Sequence, residues 1–231
     1  MKQFSYEYDP AQTVIEAIEC GEAYEGLPER LVVRDKFTQT ANIKTDNRYE
    51  GIEVKSNKWI ELACEEARIS VTAQGGPFGA IILQIDDETN EVIRYWKNHN
   101  HVTLWNDPTA HAEVMAIRAA CKQLAVFNLG IIKKEEAKLP QKGKTSHCEI
   151  YSSAEPCPMC FAAISWANIP VLVFAATSED TAQPGVDFSD KEISAEMTKS
   201  YKNRKIIVRQ STTGNSLASF NLWKSSEKIH Y

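Results

Sequence analysis

The sequence predicts an α/β protein, with helices layered on one sheet. Two observations predict it. Apolar runs of strand length, GAIILQI, EVIRYW, CEIYSS and PVLVFAA, alternate with longer stretches of helical period. Hydrophobic residues also make up 43% of 231 residues, enough to bury a sizeable core. No internal repeat and no low-complexity tract interrupts the pattern.

The elements follow in order. Asp9-Pro10 reads as an N-cap followed by a proline at the first helical position, and Val14, Ile15 and Ile18 then share one helical face. RLVVR reads as a short strand and TQTANIKTDNRYEG as polar loop. Residues 1–55 show no chemistry and read as an arm packed on the main domain or on a partner subunit. From Asn57 the pattern is regular. Trp59, Leu62, Ala63, Ala67 and Ile69 suit a helix, GGPFGAIILQI a turn and buried strand, and EVIRYW a second strand after the Asp86–Asn90 turn. DPTAHAEVMAIRAACKQLA predicts a helix with Asp107 at the N-cap and Pro108 at the first position. LGIIKKEEAKLPQKGKTSH is a charged insertion, CEIYSS a third strand, and PCPMCFAAISWA a helix that begins at a proline. PVLVFAA is the fourth strand, KIIVRQ the fifth, and SLASFNLWKSSEK a closing helix.

Composition excludes several functions. With 26 Lys and Arg against 31 Asp and Glu, the net charge is −5, a poor match to a phosphate backbone. Nucleic acid is therefore not the expected substrate. No run approaches the ~20 apolar residues of a membrane helix, and MKQFSYEYDP lacks the apolar region of a signal peptide. Six cysteines in such a chain argue for reduced thiols and a cytoplasmic protein.

Cys157 and Cys160, in AEPCPMC, leave three readings open: a redox pair, a structural zinc clip, or half of a catalytic site. TAHAE, residues 109–113, favours the third. Together the segments match His-x-Glu…Pro-Cys-x-x-Cys, the known signature of zinc-dependent base deaminases. One imidazole and two thiolates suit zinc, and three protein ligands leave a fourth tetrahedral position for water. A helix N-terminus favours thiolates. Zinc brings its water's pKa to about 7, and a neighbouring carboxylate can carry the proton. Glu113 is the candidate carrier. His111 and Glu113 lie roughly 200° apart on an ideal helix, so they converge only if the metal sits off the helix tip. A structural site would need a fourth ligand; Cys148, His147 and His101 lack paired spacing. Cys20, Cys64, Cys121 and Cys148 read as small apolar residues, and His99, His101, His147 and His230 as surface or packing residues.

GGPFGAIIL, NHVTLWNDPTAHAEVMAIRAACK, EIYSSAEPCPMCFAAISWA and VFAAT resemble the guanine deaminase branch of the cytidine deaminase-like superfamily. The resemblance runs from about residue 57 to the C-terminus, so residues 56–231 read as the deaminase domain and 1–55 as an extension. It implies a three-layer α/β/α sandwich around a five-stranded mixed sheet. It implies one zinc on His111, Cys157 and Cys160, with Glu113 as proton shuttle. Asn100 matches the amide that hydrogen-bonds the purine; its plain alternative is a turn residue. Phe78 and Trp166 match aromatics at the base pocket, Trp166 across a dimer; for both the alternative is core. Tyr231 matches a terminal Tyr that covers the substrate, against an exposed terminus. Where the family often has Gly-Phe-Asp-Asp, with an acidic residue on the guanine ring, this chain has Gly185-Val186-Asp187-Phe188. Asp187 is the nearest substitute and Asp190 another. The insertion near 130–146 and the N-terminal arm are expected at the pocket rim.

The implied reaction is hydrolysis of a free purine base, guanine to xanthine and ammonia, in a homodimer with swapped C-terminal segments. Three rivals stand beside it. A tRNA adenosine deaminase shares the central motifs but calls for basic residues. Guanosine, cytosine or an aminotriazine are other small substrates. A zinc-fold scaffold protein would have lost a ligand or the glutamate, and all four are present.

Overall fold

The computed structural model describes residues 23–25, 47–52, 54 and 57–226. The predicted N-terminal helix, the RLVVR strand, His230 and Tyr231 lie outside them. Six strands form one mixed sheet in the described residues: β1 Ala23–Glu25, β2 Gly79–Asp86, β3 Val92–His99, β4 Ile132–Lys133, β5 Thr145–Ala154 and β6 Val171–Ala176. β2 lies between antiparallel β3 and β5, and β1 pairs antiparallel with β3. β4 takes the first residues of the far edge of β5, antiparallel, and β6 takes the rest in parallel.

Every residue of β2 is buried, which explains its unbroken apolar run: both faces are covered. Ile81, Leu83 and Ile85 point to α1, Lys58–Thr72, and meet Trp59, Leu62 and Ala63. Ala80 and Ile82 point the other way, to Ala112, Ala116, Ala119 and Ala120 of α3, Ala112–Leu124. Ile164 of α4, Pro158–Trp166, joins that second core. Alternating Cβ directions along one strand thus produce the predicted three layers. Asn57 caps α1 through its Oδ1, which accepts from Trp59 N at 2.8 Å. Between β3 and α3 lies the four-residue α2, Val102–Trp105. After β6 come α5 Ser178–Thr181, α6 Lys191–Thr198 and α7 Ala218–Ser225.

Three expectations change. Helix α3 begins at Ala112, not at Pro108. Asp107 instead closes a turn, its Oδ1 accepting from Thr109 N at 2.8 Å and Thr109 Oγ1 at 2.7 Å. KIIVRQ, residues 205–210, is not a strand; it pairs with no strand among the described residues, and Ile206 and Ile207 are 77% and 78% exposed. The sheet gains the short β1 and β4 instead. The insertion near 130–146 is not at the pocket rim. Gln141 is buried at the Asp86 end of β2, where its Oε1 accepts from Gln84 Nε2 at 3.0 Å, and Gly143 N donates to Asp86 Oδ2 at 2.8 Å. That end lies roughly 20 Å along the strand from Gly79.

Candidate active site

The site forms at the Gly79 end of the sheet, where the N-termini of α3 and α4 meet. His111 is the N-cap of α3, with extended backbone (φ −72°, ψ 151°). It therefore stands outside the helix, and the ideal-helix separation from Glu113 does not apply. Cys157 caps α4 in the same way, Pro158 starts the helix, and Cys160 follows in its first turn. His111 Nδ1 lies 3.6 Å from Cys157 Sγ and 3.4 Å from Cys160 Sγ. Tetrahedral zinc with ordinary bond lengths to nitrogen and sulfur separates those atoms by about 3.5 Å. The three ligand atoms all lie within 4.8 Å of one another. The residues fit zinc. The group has three members among the described residues, which suits a site with an open position. Cys148 is in the core and His147 pairs with Asp87 at 2.6 Å, so neither completes a closed site.

Electrostatics agree with the donor set. Among the protein groups alone the two sulfurs share a proton. The hydrogen bond from Cys160 lowers the Cys157 thiol to about 4, while the same bond and burial push Cys160 up. Ionising both sulfurs needs added positive charge, which a cation supplies. Burial raises the Glu113 carboxyl. Glu113 Oε1 accepts from Ser152 Oγ at 3.2 Å, and Oε2 from Cys160 Sγ at 3.4 Å.

A cavity of about 580 Å³ opens on this group, a size suited to one small ligand. Asn100, Phe78, Asp187 and Asp190 line it with His111, Glu113 and Cys157. Asn100 Oδ1 accepts from Val102 N at 3.1 Å and Gly76 N at 3.4 Å. Its Nδ2 has no hydrogen bond among the described residues, so the amide faces the cavity as a donor. Phe78 meets Phe188 edge to face, ring centres 5.1 Å apart. Asp187 is exposed with φ 59°; Asp190 is half-buried, and burial, then the nearby Cys157 and Glu155, raise its carboxyl. Trp166, at the end of α4, is 68% exposed and does not line this cavity.

A sequence profile of the cytidine and deoxycytidylate deaminase zinc-binding region matches residues 53–176. The chain belongs to this deaminase family. Like its relatives it is a hydrolase of carbon–nitrogen bonds in cyclic amidines, and zinc is its metal. Guanine deaminase of Bacillus subtilis is 37% identical over 166 residues, covering 72% of this chain and 89% of that enzyme. The X-ray structure of a guanine deaminase from Bacillus subtilis superposes with a TM-score of 0.60 at 34% identity, covering 77% of this chain and 99% of that one. The tRNA-specific adenosine deaminase of Aquifex aeolicus is 33% identical over 51% of this chain and 64% of its own length.

Sequence reasoning missed three residues at this deaminase site. Ser152 orients Glu113, and nothing in CEIYSS distinguishes it from a strand serine. Glu155 lines the cavity from two residues before Cys157, and a single carboxylate beside a cysteine pair carries no pattern of its own. Phe188 is a wall residue rather than only a departure from the family pattern.

Proposed function

We propose that this deaminase converts guanine and water to xanthine and ammonia. The observation that carries the substrate is the extent of the likeness to guanine deaminase, 89% of that enzyme's length against 64% of the tRNA enzyme's. The small-ligand size of the cavity and the charge of −5 support a free base over RNA.

His111, Cys157 and Cys160 hold the metal. Zinc, when bound, supplies a water ionisable near neutral pH. Glu113 takes one proton of the attacking water and passes it to a ring nitrogen; it then takes the proton of the hydroxyl added to the ring carbon and passes it to the amine, which leaves as ammonia as the carbonyl forms. Burial suits it to that exchange, and Ser152 fixes one of its oxygens. Asn100 donates from Nδ2 to a ring acceptor. Its oxygen is held by two backbone N–H groups, so the donor needs no reorientation on binding. Phe78 packs on the base, and Asp187 and Asp190 offer carboxylates to ring N–H groups.

The test is ammonia release by the zinc-loaded protein from guanine, guanosine, adenine, cytosine and an anticodon stem-loop. We expect turnover of guanine, and Glu113→Ala to keep its zinc while losing several orders of magnitude in kcat. Turnover of the stem-loop alone would replace guanine by tRNA. Normal turnover in Glu113→Ala would remove the proton shuttle.

We also place the protein in the cytoplasm as a homodimer with exchanged C-terminal segments, with Trp166 reaching the partner's site. Free Cys64, Cys121 and Cys148 support a reducing compartment. Exposed Ile193, Met197, Ile206, Ile207, Phe220 and Leu222 support a second copy covering residues 191–226. No helix among the described residues is long and apolar enough to cross a membrane.

A further inference from the structure

The outer wall of the cavity, residues 178–190, starts at Ser178, which is hydrogen-bonded to both Glu155 and Arg48. Glu155 Oε2 accepts from Tyr49 Oη at 2.6 Å and from Ser178 N at 2.8 Å. Its Oε1 lies 3.6 Å from Arg48 Nη1. Arg48 Nη2 in turn donates to Tyr49 Oη at 2.7 Å and to Ser178 Oγ at 2.8 Å. Four residues from three segments thus close a ring of polar contacts. Arg48 and Tyr49 come from before the region the family profile covers. Glu155 stands two residues before Cys157, and Ser178 opens α5, the first piece of the wall.

The ring is anchored at its N-terminal side. Tyr49 is 7% exposed, its ring centre 6.4 Å from that of Phe174 on β6, and the Arg48 guanidinium lies 4.8 Å above its ring. Burial and the Glu155 carboxylate raise the Tyr49 phenol, which keeps it a donor. Glu155 and Ser178 both line the cavity. From Ser178 the chain runs through Thr181 to Phe188 and Asp190, the residues that face Phe78 and the metal group. A shift at the Ser178 end therefore moves the whole wall against the bound base.

We propose that Arg48 and Tyr49 are positioning residues for substrate: they fix Glu155 and, through it, the wall that closes over the base. The segment preceding the family region then sets the affinity of the site without touching the chemistry. This rests on the reading of the cavity as a base-binding site. Arg48 adds the positive charge beside the Glu155 carboxylate, and Tyr49 supplies the rigid ring on which that charge packs.

Full-length, zinc-loaded Tyr49→Phe, Arg48→Met and Arg48→Lys are compared with the parent in two measurements. In steady-state kinetics on whichever base the parent turns over, Tyr49→Phe and Arg48→Met should raise KM by about tenfold, the scale of a lost hydrogen bond to a charged group. Their kcat should stay within about twofold, because the reacting groups are intact. Arg48→Lys should recover part of the KM. In amide hydrogen exchange, peptides covering 177–190 should exchange faster in Tyr49→Phe, while those covering 112–124 keep their protection. A lower melting temperature with unchanged KM would overturn the proposal and leave a purely structural contact. Unchanged exchange over 177–190 would overturn it equally. If the parent turns over no free base, the proposed substrate falls, and the exchange comparison still decides whether the wall hangs on Tyr49.

Discussion

Asn100 shows how one side chain can be committed at one end and open at the other. Its oxygen is occupied by the N–H groups of Gly76 and Val102, and its nitrogen is left for a ligand. Asn100→Ala should raise KM by roughly ten- to a hundredfold, since a polar edge of the substrate loses its partner. Inhibitor or substrate binding by calorimetry checks it, and an unchanged Kd would remove Asn100 from the pocket's recognition. The metal group was legible in the sequence because few residue types bind zinc, and their spacing survives in the chain. The role proposed for Asn100 rests on resemblance, since a polar residue after a strand is ordinarily a turn. Ser152 and Glu155 were not legible at all. Their importance lies in partners 39 residues away in one case and 106 in the other, and no local pattern records such distances.

At the scale of elements, the apolar runs gave β2, β3, β5 and β6, and the helical periods gave α1, α3 and α4. What failed was local grammar overruled by context. Asp107-Pro108 carries every mark of a helix start, yet its side chain closes a turn, and the helix begins four residues later with His111 free to face the metal. Residues 205–210 have the composition of a strand but pair with no strand among the described residues, and composition alone does not reveal which partner a strand will find. The approach of α1 to β2 depends on Gly79. A Cβ there would lie 2.3 Å from Ala63 O and 2.5 Å from Ala67 N, both backbone atoms that cannot turn away. Gly79→Ala should therefore cost at least about 2 kcal/mol of stability, read as a lower urea midpoint. A midpoint within error of the parent would mean that α1 can lift without loss.

At the scale of the whole molecule, residues 191–226 leave the domain with their apolar side chains outward. The proposed dimer predicts that light scattering gives twice the chain mass at micromolar concentration. The double variant Ile206→Lys, Ile207→Lys should shift the mass toward one chain; a parent that runs as a monomer would refute the exchanged segment. The other end of the sheet has a different consequence. Chemistry gathers at the rim of Gly79, Asn100, His111 and Cys157, while the loop from Lys134 to Lys144 hangs from Asp86 at the opposite rim. Length added there meets neither the metal group nor the wall, and loop closure grows only slowly with length. The sheet therefore offers a handle: a reporter or a tether grafted into exposed residues 134–136 can hold this enzyme on a surface with its cavity turned to solution.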